Sequence, residues 1–571
     1  MDLLCAVDKP SRALTYEQPH QAYLHPGVST TGCLVDVECN TSEEGRNEVV
    51  DKEHSICEAP VTEAYEATAA NILTIIASYG VHSERGAGLW PSFDEFLPMV
   101  ISQVVAAAPI RMLLPAFPFK ENSSELVLGS LPDLGEELAL AHLQGLCENI
   151  SVIYENGAEI LICSDGLVYN DLMGVSDDDA WEYGEAVRAM AASKNFRNIK
   201  FVRLWDLLQN PGCGSDQANL KKSKSYYHEH AASIRQELFH RFGDAQFKAG
   251  DAVKSSEDWA KTHVTYVNVL ARKSIEGTES IAREMIERGK AYGSALRTNF
   301  PDYIRLSIHD STGHGKLSLA LIPNPEEKGS IGLMPWRSVI AVDPDGSYRA
   351  VYPDQVRDTH QAIYKYGRPY FFRAKSDLFN WDNDLQIDIE HLYPCGIIIR
   401  PVKDSPSTGM IPMQKVRELS NQFSPIIIRG FSDTLDTGSL TKEGHEPLPV
   451  RLQGIWKFED IEKLATREVK KVLSPPGHQN TTHSISDPRG EGCAVFRNSR
   501  LVVRYLSSTR IFERLQDKTK FHAYKVPMMN EEQSRQLNEM FTYDSRTCLR
   551  FSWENGDLLV NNEENLSILR I

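Results

Sequence analysis

The chain has 571 residues, of which 41% are hydrophobic and 24% charged, and its formal net charge is −17. This composition is typical of a soluble globular protein, and at roughly 150 residues per domain the length predicts several domains. The acidic balance argues against nucleic acid or an anionic membrane as a partner. A small phosphorylated molecule stays compatible with it, because such a ligand needs only a local basic pocket.

The cysteines and the N-terminus indicate a cytoplasmic protein. The ten cysteines are scattered and include no C-x-x-C pair, which favours reduced thiols over a disulfide framework or a zinc site. The first residues do not combine a cationic start with an apolar segment, so no secretory signal is predicted. No apolar run reaches the roughly 18 residues that a membrane helix needs.

The chain divides by composition into four segments. Residues 1–62 are polar and aperiodic and are predicted to be a disordered leader. Residues 63–402 alternate strands and helices, which predicts an α/β domain with a largely parallel sheet and, after Tyr303, an antiparallel extension. Residues 403–409 are predicted to be a linker, and residues 410–571 a smaller β-rich domain.

Residues 111–140 place a lysine next to an acidic helix start. Residues 111–116 form an apolar run, which predicts a buried strand, and Pro118 stiffens the turn that leads to Lys120. Asp133 and Glu136 open the next helix, where the helix dipole favours anions. A lysine beyond the carboxyl end of a strand lies where α/β sheets bind ligands. The alternative is a solvated loop cation.

Asp165 follows the apolar strand predicted at residues 159–164 and precedes Gly166. A carboxylate at the carboxyl end of a strand is a candidate general base. The alternative is an ordinary Asp-Gly turn, in which the glycine supplies the conformational freedom.

Arg305, Ser307 and His309 alternate along a predicted strand and would share one face. Such a row can bind a phosphate and hold an imidazole for proton transfer. Lys316 ends the following GHGK element, which is not a phosphate-binding P-loop because Asp310 and Leu317 stand where that motif needs Gly and Ser or Thr. We expect a strand, a turn and a second strand here. The alternative is a solvent-exposed polar face.

Arg337 and Arg373 lie among aromatic residues, in MPWRS and RPYFFRAKSDLFNW. The aromatic side chains are most simply core and rim residues. Guanidinium groups tolerate aromatic neighbours well, so both arginines are candidates to clamp an anionic group.

Six segments, in order, resemble the isocyanide synthase family, which includes pyoverdine and dityrosine biosynthesis proteins. They are PAFPFKENS, LPDLGEELAL, ICSDGLVYND, YIRLSIHDSTGHGKLSLALIP, MPWRSV and PYFFRAKSDLFNW. The resemblance implies a Rossmann-like core and a lyase of secondary metabolism that converts the amino group of an L-amino acid into an isocyanide. It also implies ribulose 5-phosphate as the carbon donor and no cofactor for this domain. Partners would be these substrates and downstream biosynthetic enzymes.

That chemistry assigns roles to the candidate residues. Lys120 would polarise the sugar ketone, and Asp165 and His309 would transfer protons. Seven further residues would bind the substrates: Asp133, Glu136, Arg305, Ser307, Lys316, Arg337 and Arg373. The two acidic residues among them would hold the ammonium of the amino acid. Family members often carry His after the Pro-Trp pair, where this chain has Arg337, and arginine cannot replace a proton-transferring histidine.

The C-terminal segments SPIIIRGF, CAVFRNSRLVVRYL and FSWENGDLLVNNEENL resemble taurine dioxygenase-type iron(II)/2-oxoglutarate oxygenases. Those enzymes bind iron through a His-x-Asp/Glu pair and a distal His. His478 and His483 are not followed by the required carboxylate, so we expect a truncated double-stranded β-helix domain that binds neither iron nor 2-oxoglutarate. Two alternatives stay open: an oxygenase with an unrecognised iron site, and a decayed scaffold protein.

Overall fold

The structure is a computed structural model of the chain. The structure describes residues 55–81, 90–164, 166–208, 224–323, 331–381, 385–402, 405–432, 471–473, 493–498, 501, 544–552, 558–561 and 566–569. Backbone contacts group Ala59–Ile571 into one unit. The predicted leader, residues 1–62, lies almost entirely outside the described residues.

The helices and strands are numbered in chain order within the described ranges. The helices are α1 Ser55–Ser78, α2 Phe93–Val105, α3 Leu134–Ile153, α4 Gly166–Tyr169, α5 Asp177–Ser193, α6 Leu204–Leu208, α7 Lys224–Phe242, α8 Ala249–Ser255, α9 Glu257–Arg272, α10 Thr278–Asn299 and α11 Met413–Ser420. The strands are β1 Ile110–Pro115, β2 Ala158–Ser164, β3 Ile199–Arg203, β4 Ile304–Ser307, β5 Leu317–Ser318, β6 Val339–Val342, β7 Tyr348–Val351, β8 His360–Lys365, β9 Arg368–Ala374, β10 Ile387–His391, β11 Ile397–Pro401, β12 Ile426–Ile428, β13 Lys471–Leu473, β14 Cys493–Asn498, β15 Cys548–Ser552, β16 Leu558–Asn561 and β17 Leu566–Leu569.

The protein is an α/β protein with a five-stranded parallel sheet in the order β3-β2-β1-β4-β5. The central strand β1 has the sequence IRMLLP, and Ile110, Met112, Leu113 and Leu114 are buried. A continuous apolar run suits a strand that is covered on both faces. The predicted parallel sheet is therefore confirmed.

The region after Tyr303 contains antiparallel strand pairs, as predicted, together with parallel ones. β6 pairs antiparallel with β7, β8 with β9 and β10 with β11. β4 pairs in parallel with β1, and β5 in parallel with β4, with Leu306 opposite Leu317. The two predicted strands are present and are joined by the loop 308–316, but their parallel pairing departs from the predicted antiparallel arrangement. Further along, β7-β6-β9-β8 form a mixed sheet in which β6 and β9 run parallel. Residue patterning alone does not distinguish parallel from antiparallel short strands.

Helix α3 begins where the sequence predicts it. The Asp133 side chain accepts from the Gly135 N–H, and the Glu136 side chain accepts from the Asp133 N–H. This capping box satisfies orphan N–H groups of the first turn. The turn is deeply buried, with Glu136 fully enclosed, so the helix start faces other charged groups and not solvent.

A second five-stranded sheet spans the predicted linker. Its order is β10-β11-β12-β16-β13, and β11 pairs in parallel with β12 across residues 403–409. A smaller sheet contains β15, β14 and β17. Next to β15, Ser545 and Arg546 bond to the first α/β part of the chain: the Arg546 guanidinium donates to the Ser78 carbonyl, and Ser545 pairs with Tyr79. The strands of the two predicted domains are thus joined by hydrogen bonds.

Candidate active site

A cavity of about 310 Å³ lies beyond the carboxyl ends of β1 and β4. Strand order reverses between these two neighbours, and the crevice at such a point is where open α/β sheets bind ligands. Part of its wall is apolar and part carries polar side chains. It is lined by Pro118, Phe119, Tyr169, Thr265, Tyr266, Val269, Met285, Ile308, His309, Asp310, Ile331, Gly332, Leu333, Met334, Trp336, Arg337 and Tyr352.

The loop that follows β4 is fixed by side chains on both of its flanks. The Ser318 hydroxyl donates to the His309 carbonyl at 2.8 Å, and the Ser307 hydroxyl accepts from the His309 N–H at 3.1 Å. Further along, the Trp90 indole and the Ser92 hydroxyl donate to the Gly313 carbonyl. His309 is therefore held at the cavity by a braced backbone. Ser307, predicted to bind substrate, makes these local bonds and does not line the cavity.

The His309 imidazole faces the cavity, with Tyr266 edge-on to it at 5.5 Å between ring centres. Burial, together with the nearby charges of Lys316 and Arg337, lowers its pKa to about 3. The ring is therefore neutral near pH 7 and can accept a proton. Among the described residues, no side chain or backbone group bonds to either ring nitrogen, so both nitrogens are available to a ligand.

Arg337 lines the cavity and is anchored from behind. Its Nε donates to Glu121 at 3.2 Å, and the other Glu121 oxygen lies 2.7 Å from the Lys273 ammonium. Glu121 is fully buried. We name these three residues the Arg337 cluster. Formally they carry one net positive charge, because two cations share a single carboxylate.

The other predicted basic residues lie close to the cavity without lining it. Lys316 pairs with Asp258 at 3.5 Å, and burial lowers its pKa. Arg305 lies on β4 opposite Leu113, and burial lowers its pKa as well. Its Nη1 atom is buried and bonds to no residue in the described ranges. The predicted common face of Arg305, Ser307 and His309 does not extend to His309, because the strand ends at Ser307.

Lys120 lies in a closed cluster of charges. Its ammonium contacts Asp133 at 2.8 Å, Glu136 at 2.8 Å and the Pro335 carbonyl at 3.0 Å. Glu136 also accepts from the Tyr183 hydroxyl at 3.1 Å. We name Lys120, Asp133 and Glu136 the Lys120 cluster. The predicted proximity of the lysine to the acidic helix start is present, and all three ammonium donors are used within the protein.

Burial and the neighbouring charges both shift the pKa values of Lys120 and Asp133. Burial lowers the pKa of Lys120, but the charges of Asp133 and Glu136 outweigh it, and the net shift is upward. Burial raises the pKa of Asp133, with Lys120 opposing and Glu136 adding to the increase. Asp133 therefore holds a proton more readily than an exposed carboxyl would, chiefly because it is buried.

Two further predicted residues lie elsewhere. Arg373 is buried on β9 and stacks on Phe379 at 3.6 Å, and burial lowers its pKa to about 10. It does not line the cavity described here. Asp165 lies outside the described residues. Its neighbour Gly166 approaches the Pro118 carbonyl so closely that a Cβ atom there would lie 2.6 Å from the oxygen.

Sequence reasoning missed Glu121 and Tyr266. Glu121 follows Lys120 directly. Its partner Arg337 lies more than two hundred residues further along the chain, and nothing in the sequence around Glu121 indicates that contact. Tyr266 lies on α9, within a helical stretch where aromatic residues are ordinarily core. Neither residue lies in a sequence context that would mark it as part of a functional site. His309 and Arg337, in contrast, were both predicted and both line the cavity.

Comparisons with known proteins address the identity of the chain. The family model described as "Pyoverdine/dityrosine biosynthesis protein" matches residues 100–363. Isocyanide synthase xanB of Aspergillus fumigatus is 40% identical, over 91% of this chain and 82% of the relative. The chain belongs to the isocyanide synthase family. The enzymes of this family form an isocyanide from the amino group of an amino acid.

Two solved structures are similar to parts of this isocyanide synthase. The PvcA protein of Pseudomonas aeruginosa matches over 54% of this chain and 100% of its own, with 23% identity and a TM-score of 0.46. The PvcB protein of the same organism matches over 33% of this chain and 86% of its own, with 13% identity and a TM-score of 0.21.

The described ranges contain neither a membrane-spanning helix nor a cluster of metal-binding side chains. No helix there is both long and apolar enough to cross a membrane. No group of three or more His, Cys, Asp or Glu side chains in those ranges is arranged to hold a metal ion. His478 and His483, which fail the iron-binding pattern in sequence, lie outside the described residues.

Proposed function

We propose that this synthase converts an L-amino acid to an isocyano acid with ribulose 5-phosphate as the carbon donor, and that the reaction occurs in the cavity beyond β1 and β4. The observation that carries the proposal is the presence of His309 and Arg337 on the wall of one cavity. One offers a neutral imidazole and the other a guanidinium, and the reaction needs both a proton acceptor and an anchor for a phosphate.

Arg337 is the proposed phosphate anchor. Its Nε is bonded to Glu121, and within the described ranges its two Nη groups bond to no residue. A guanidinium with free Nη groups matches the geometry of phosphate oxygens. Lys316, close enough to affect the pKa of His309, adds a second positive charge. On this proposal arginine replaces the histidine common in the family because the position binds an anion.

His309 is the proposed proton acceptor. The ammonium of an amino acid must lose a proton before its nitrogen can attack the sugar ketone, and a neutral imidazole can take that proton. Its pKa of about 3 makes it a weak base in the free enzyme. A bound phosphate would offset the charges of Arg337 and Lys316, and so raise the pKa of His309 when both substrates are present. Asp165 is proposed as a second base.

The closed Lys120 cluster supports a structural role more than a catalytic one. Its ammonium is already bonded to two carboxylates and a carbonyl, so binding of a ketone would require it to leave one of them. The catalytic role of Lys120 and the substrate-binding roles of Asp133 and Glu136 stay predictions. The same holds for Arg305, Ser307 and Arg373.

Finer features of the fold belong to the same proposal. The strand order β3-β2-β1-β4-β5 supports a Rossmann-like core. We propose that residues 410–571 are a double-stranded β-helix that lacks the iron ligands, since neither His478 nor His483 is followed two residues later by a carboxylate. Stoichiometric iron in the purified protein would contradict this second point.

The experiment that tests the proposed function is incubation of the purified full-length chain with ribulose 5-phosphate and a panel of L-amino acids. Mass spectrometry should detect an isocyano acid from at least one of them. Carbon-13 at the C2 ketone position should reveal whether the sugar supplies the isocyanide carbon. No isocyano product from any amino acid would refute the proposal and favour the scaffold alternative.

A further inference from the structure

The buried carboxylate of Glu121 lies directly behind the cavity wall and takes no part in the reaction proposed above. It is 0% exposed. It does not line the cavity, so contact with substrate is not its role. A buried carboxylate is costly unless cations and hydrogen bonds compensate it, which makes its partners informative.

We propose that Glu121 is a positioning residue that sets the orientation of the Arg337 guanidinium for phosphate binding. The inference rests on the proposed function, because it assumes that Arg337 binds the phosphate of the sugar substrate. Glu121 engages Arg337 through Nε alone, at 3.2 Å. Because the contact uses Nε, the paired Nη groups, which form the fork that recognises phosphate, are not engaged by the carboxylate.

Both ends of this contact are fixed. The Glu121 N–H donates to the Trp336 carbonyl at 3.0 Å, and the Arg337 N–H donates to the Met334 carbonyl at 2.9 Å. The backbone at Glu121 is therefore bonded to the residue that precedes Arg337. Because main chain and side chain both connect the two segments, the guanidinium has little freedom to swing out of the wall.

Lys273 fixes the second oxygen of Glu121. Its ammonium lies 2.7 Å from that oxygen and also donates to the Met173 carbonyl. Lys273 is only 6% exposed, so solvent screens the contact weakly. With one oxygen held by Lys273, the carboxylate cannot rotate to take a bidentate grip on Arg337.

The charge of the cluster suits an anion. Two cations and one carboxylate leave one positive charge behind the cavity wall, and His309 contributes none because its pKa is lowered to about 3. A single carboxylate thus orients the arginine without cancelling the field that attracts a phosphate. A second carboxylate at this place would remove that field.

The test compares Glu121→Gln with Glu137→Gln in the full-length enzyme. Glu137 is a matched control: it is also buried, and it is also held by one lysine and one other donor, Lys194 at 2.6 Å and the Tyr370 hydroxyl at 2.8 Å. It lies away from the cavity lining. Both variants lose a buried charge, so a general loss of stability should affect them alike.

The inference predicts a selective effect on the sugar phosphate. In Glu121→Gln, KM for ribulose 5-phosphate should rise about 10- to 100-fold, as expected for a misoriented charge-assisted contact. The kcat value should stay within about threefold, and KM for the amino acid should not change. Glu137→Gln should keep both KM values. Equal KM increases in the two variants, or an unchanged KM in Glu121→Gln, would overturn the inference.

A binding measurement separates this inference from the proposed function. Titration calorimetry with inorganic phosphate at fixed ionic strength should show weaker binding to Glu121→Gln than to the wild type and to Glu137→Gln. If wild type makes no isocyano acid, the proposed function fails, while the phosphate titration still tests Glu121. Should Glu121→Gln not fold, Glu121→Asp keeps the charge, withdraws it from Arg337, and should weaken phosphate binding in the same selective way.

Discussion

Lys120 and Glu121 are neighbours in sequence, but their side chains enter two clusters of opposite net charge. The Lys120 cluster has two carboxylates and one ammonium, all bonded to one another or to the backbone. The Arg337 cluster has two cations and one carboxylate, and its arginine faces a cavity. Charge that is satisfied internally supports the fold, whereas charge left unsatisfied at a cavity is available for a ligand.

This contrast predicts that the main effect of Lys120→Met is a loss of folding stability rather than a direct loss of catalysis. Removal of the ammonium leaves Asp133 and Glu136 buried without a cation, so we expect a loss of about 3–5 kcal/mol in unfolding free energy. Urea denaturation of the full-length protein measures it. The control is Lys200→Met, since Lys200 pairs with Glu159 at the surface and its side chain is 58% exposed; it should cost less than about 1 kcal/mol.

The opposite result for Lys120 would restore its catalytic role. A Lys120→Met protein of wild-type stability that no longer turns over would mean that the ammonium leaves its carboxylates to act on the substrate. The closed cluster would then be a resting state.

The His309→Gln variant tests whether a residue that lines the cavity takes part in catalysis. Loss of a general base typically slows the chemical step by at least about 100-fold, and stability should change little because the ring bonds to no described residue. Measurement of kcat at saturating substrates gives the effect. His391→Gln is the control: His391 is a buried histidine whose pKa is also lowered to about 3, but it does not line the cavity. Similar kcat values in the two variants would exclude His309 as the base.

A smaller effect is expected for Arg337→Lys. The variant keeps the positive charge but loses both the fork and the Nε contact with Glu121, so KM for ribulose 5-phosphate should rise about tenfold with kcat little changed. Arg337→His tests the residue common in the family. If Arg337→His raised kcat, the position would transfer protons rather than bind an anion.

The sequence predicted those parts of the fold and site that depend on local pattern. The buried strand β1, the start of α3 at Asp133 and the location of His309 and Arg337 in two separate motifs were all accessible, because apolar runs, capping residues and family motifs are local signals. The parallel pairing of β4 with β5 and the partner of Glu121 depend on contacts between distant segments. Single-sequence reasoning contains no signal for such contacts.

The same limit explains the different outcomes for Lys120 and His309. Both were predicted as catalytic from their positions near strand ends. Which of two such residues faces a cavity depends on the contacts of their side chains. Lys120 bonds to the Pro335 carbonyl, whereas the His309 ring packs edge-on against Tyr266. The position of a residue along the chain can place it at the edge of the sheet, but it does not show which way the side chain points.

The last and smallest expected effect concerns pH. Burial, Lys316 and Arg337 lower the pKa of His309 to about 3 in the folded protein, against about 6.5 when unfolded. A histidine with a depressed folded-state pKa contributes stability that is present above pH 6.5 and lost as pH falls toward 3, because the unfolded chain then binds the extra proton. Between pH 7 and pH 5 this amounts to about 1–2 kcal/mol for His309 alone.

The comparison of wild type with His309→Gln isolates that contribution. Glutamine does not titrate, so the variant should lose about 1–2 kcal/mol less unfolding free energy than wild type between pH 7 and pH 5. Inorganic phosphate at both pH values adds a second test, since an anion bound at Arg337 should reduce the wild-type loss and leave the variant's unchanged. Equal pH dependence in the two proteins would mean that His309 titrates normally in the fold, and that Lys316 and Arg337 do not act on it through the cavity.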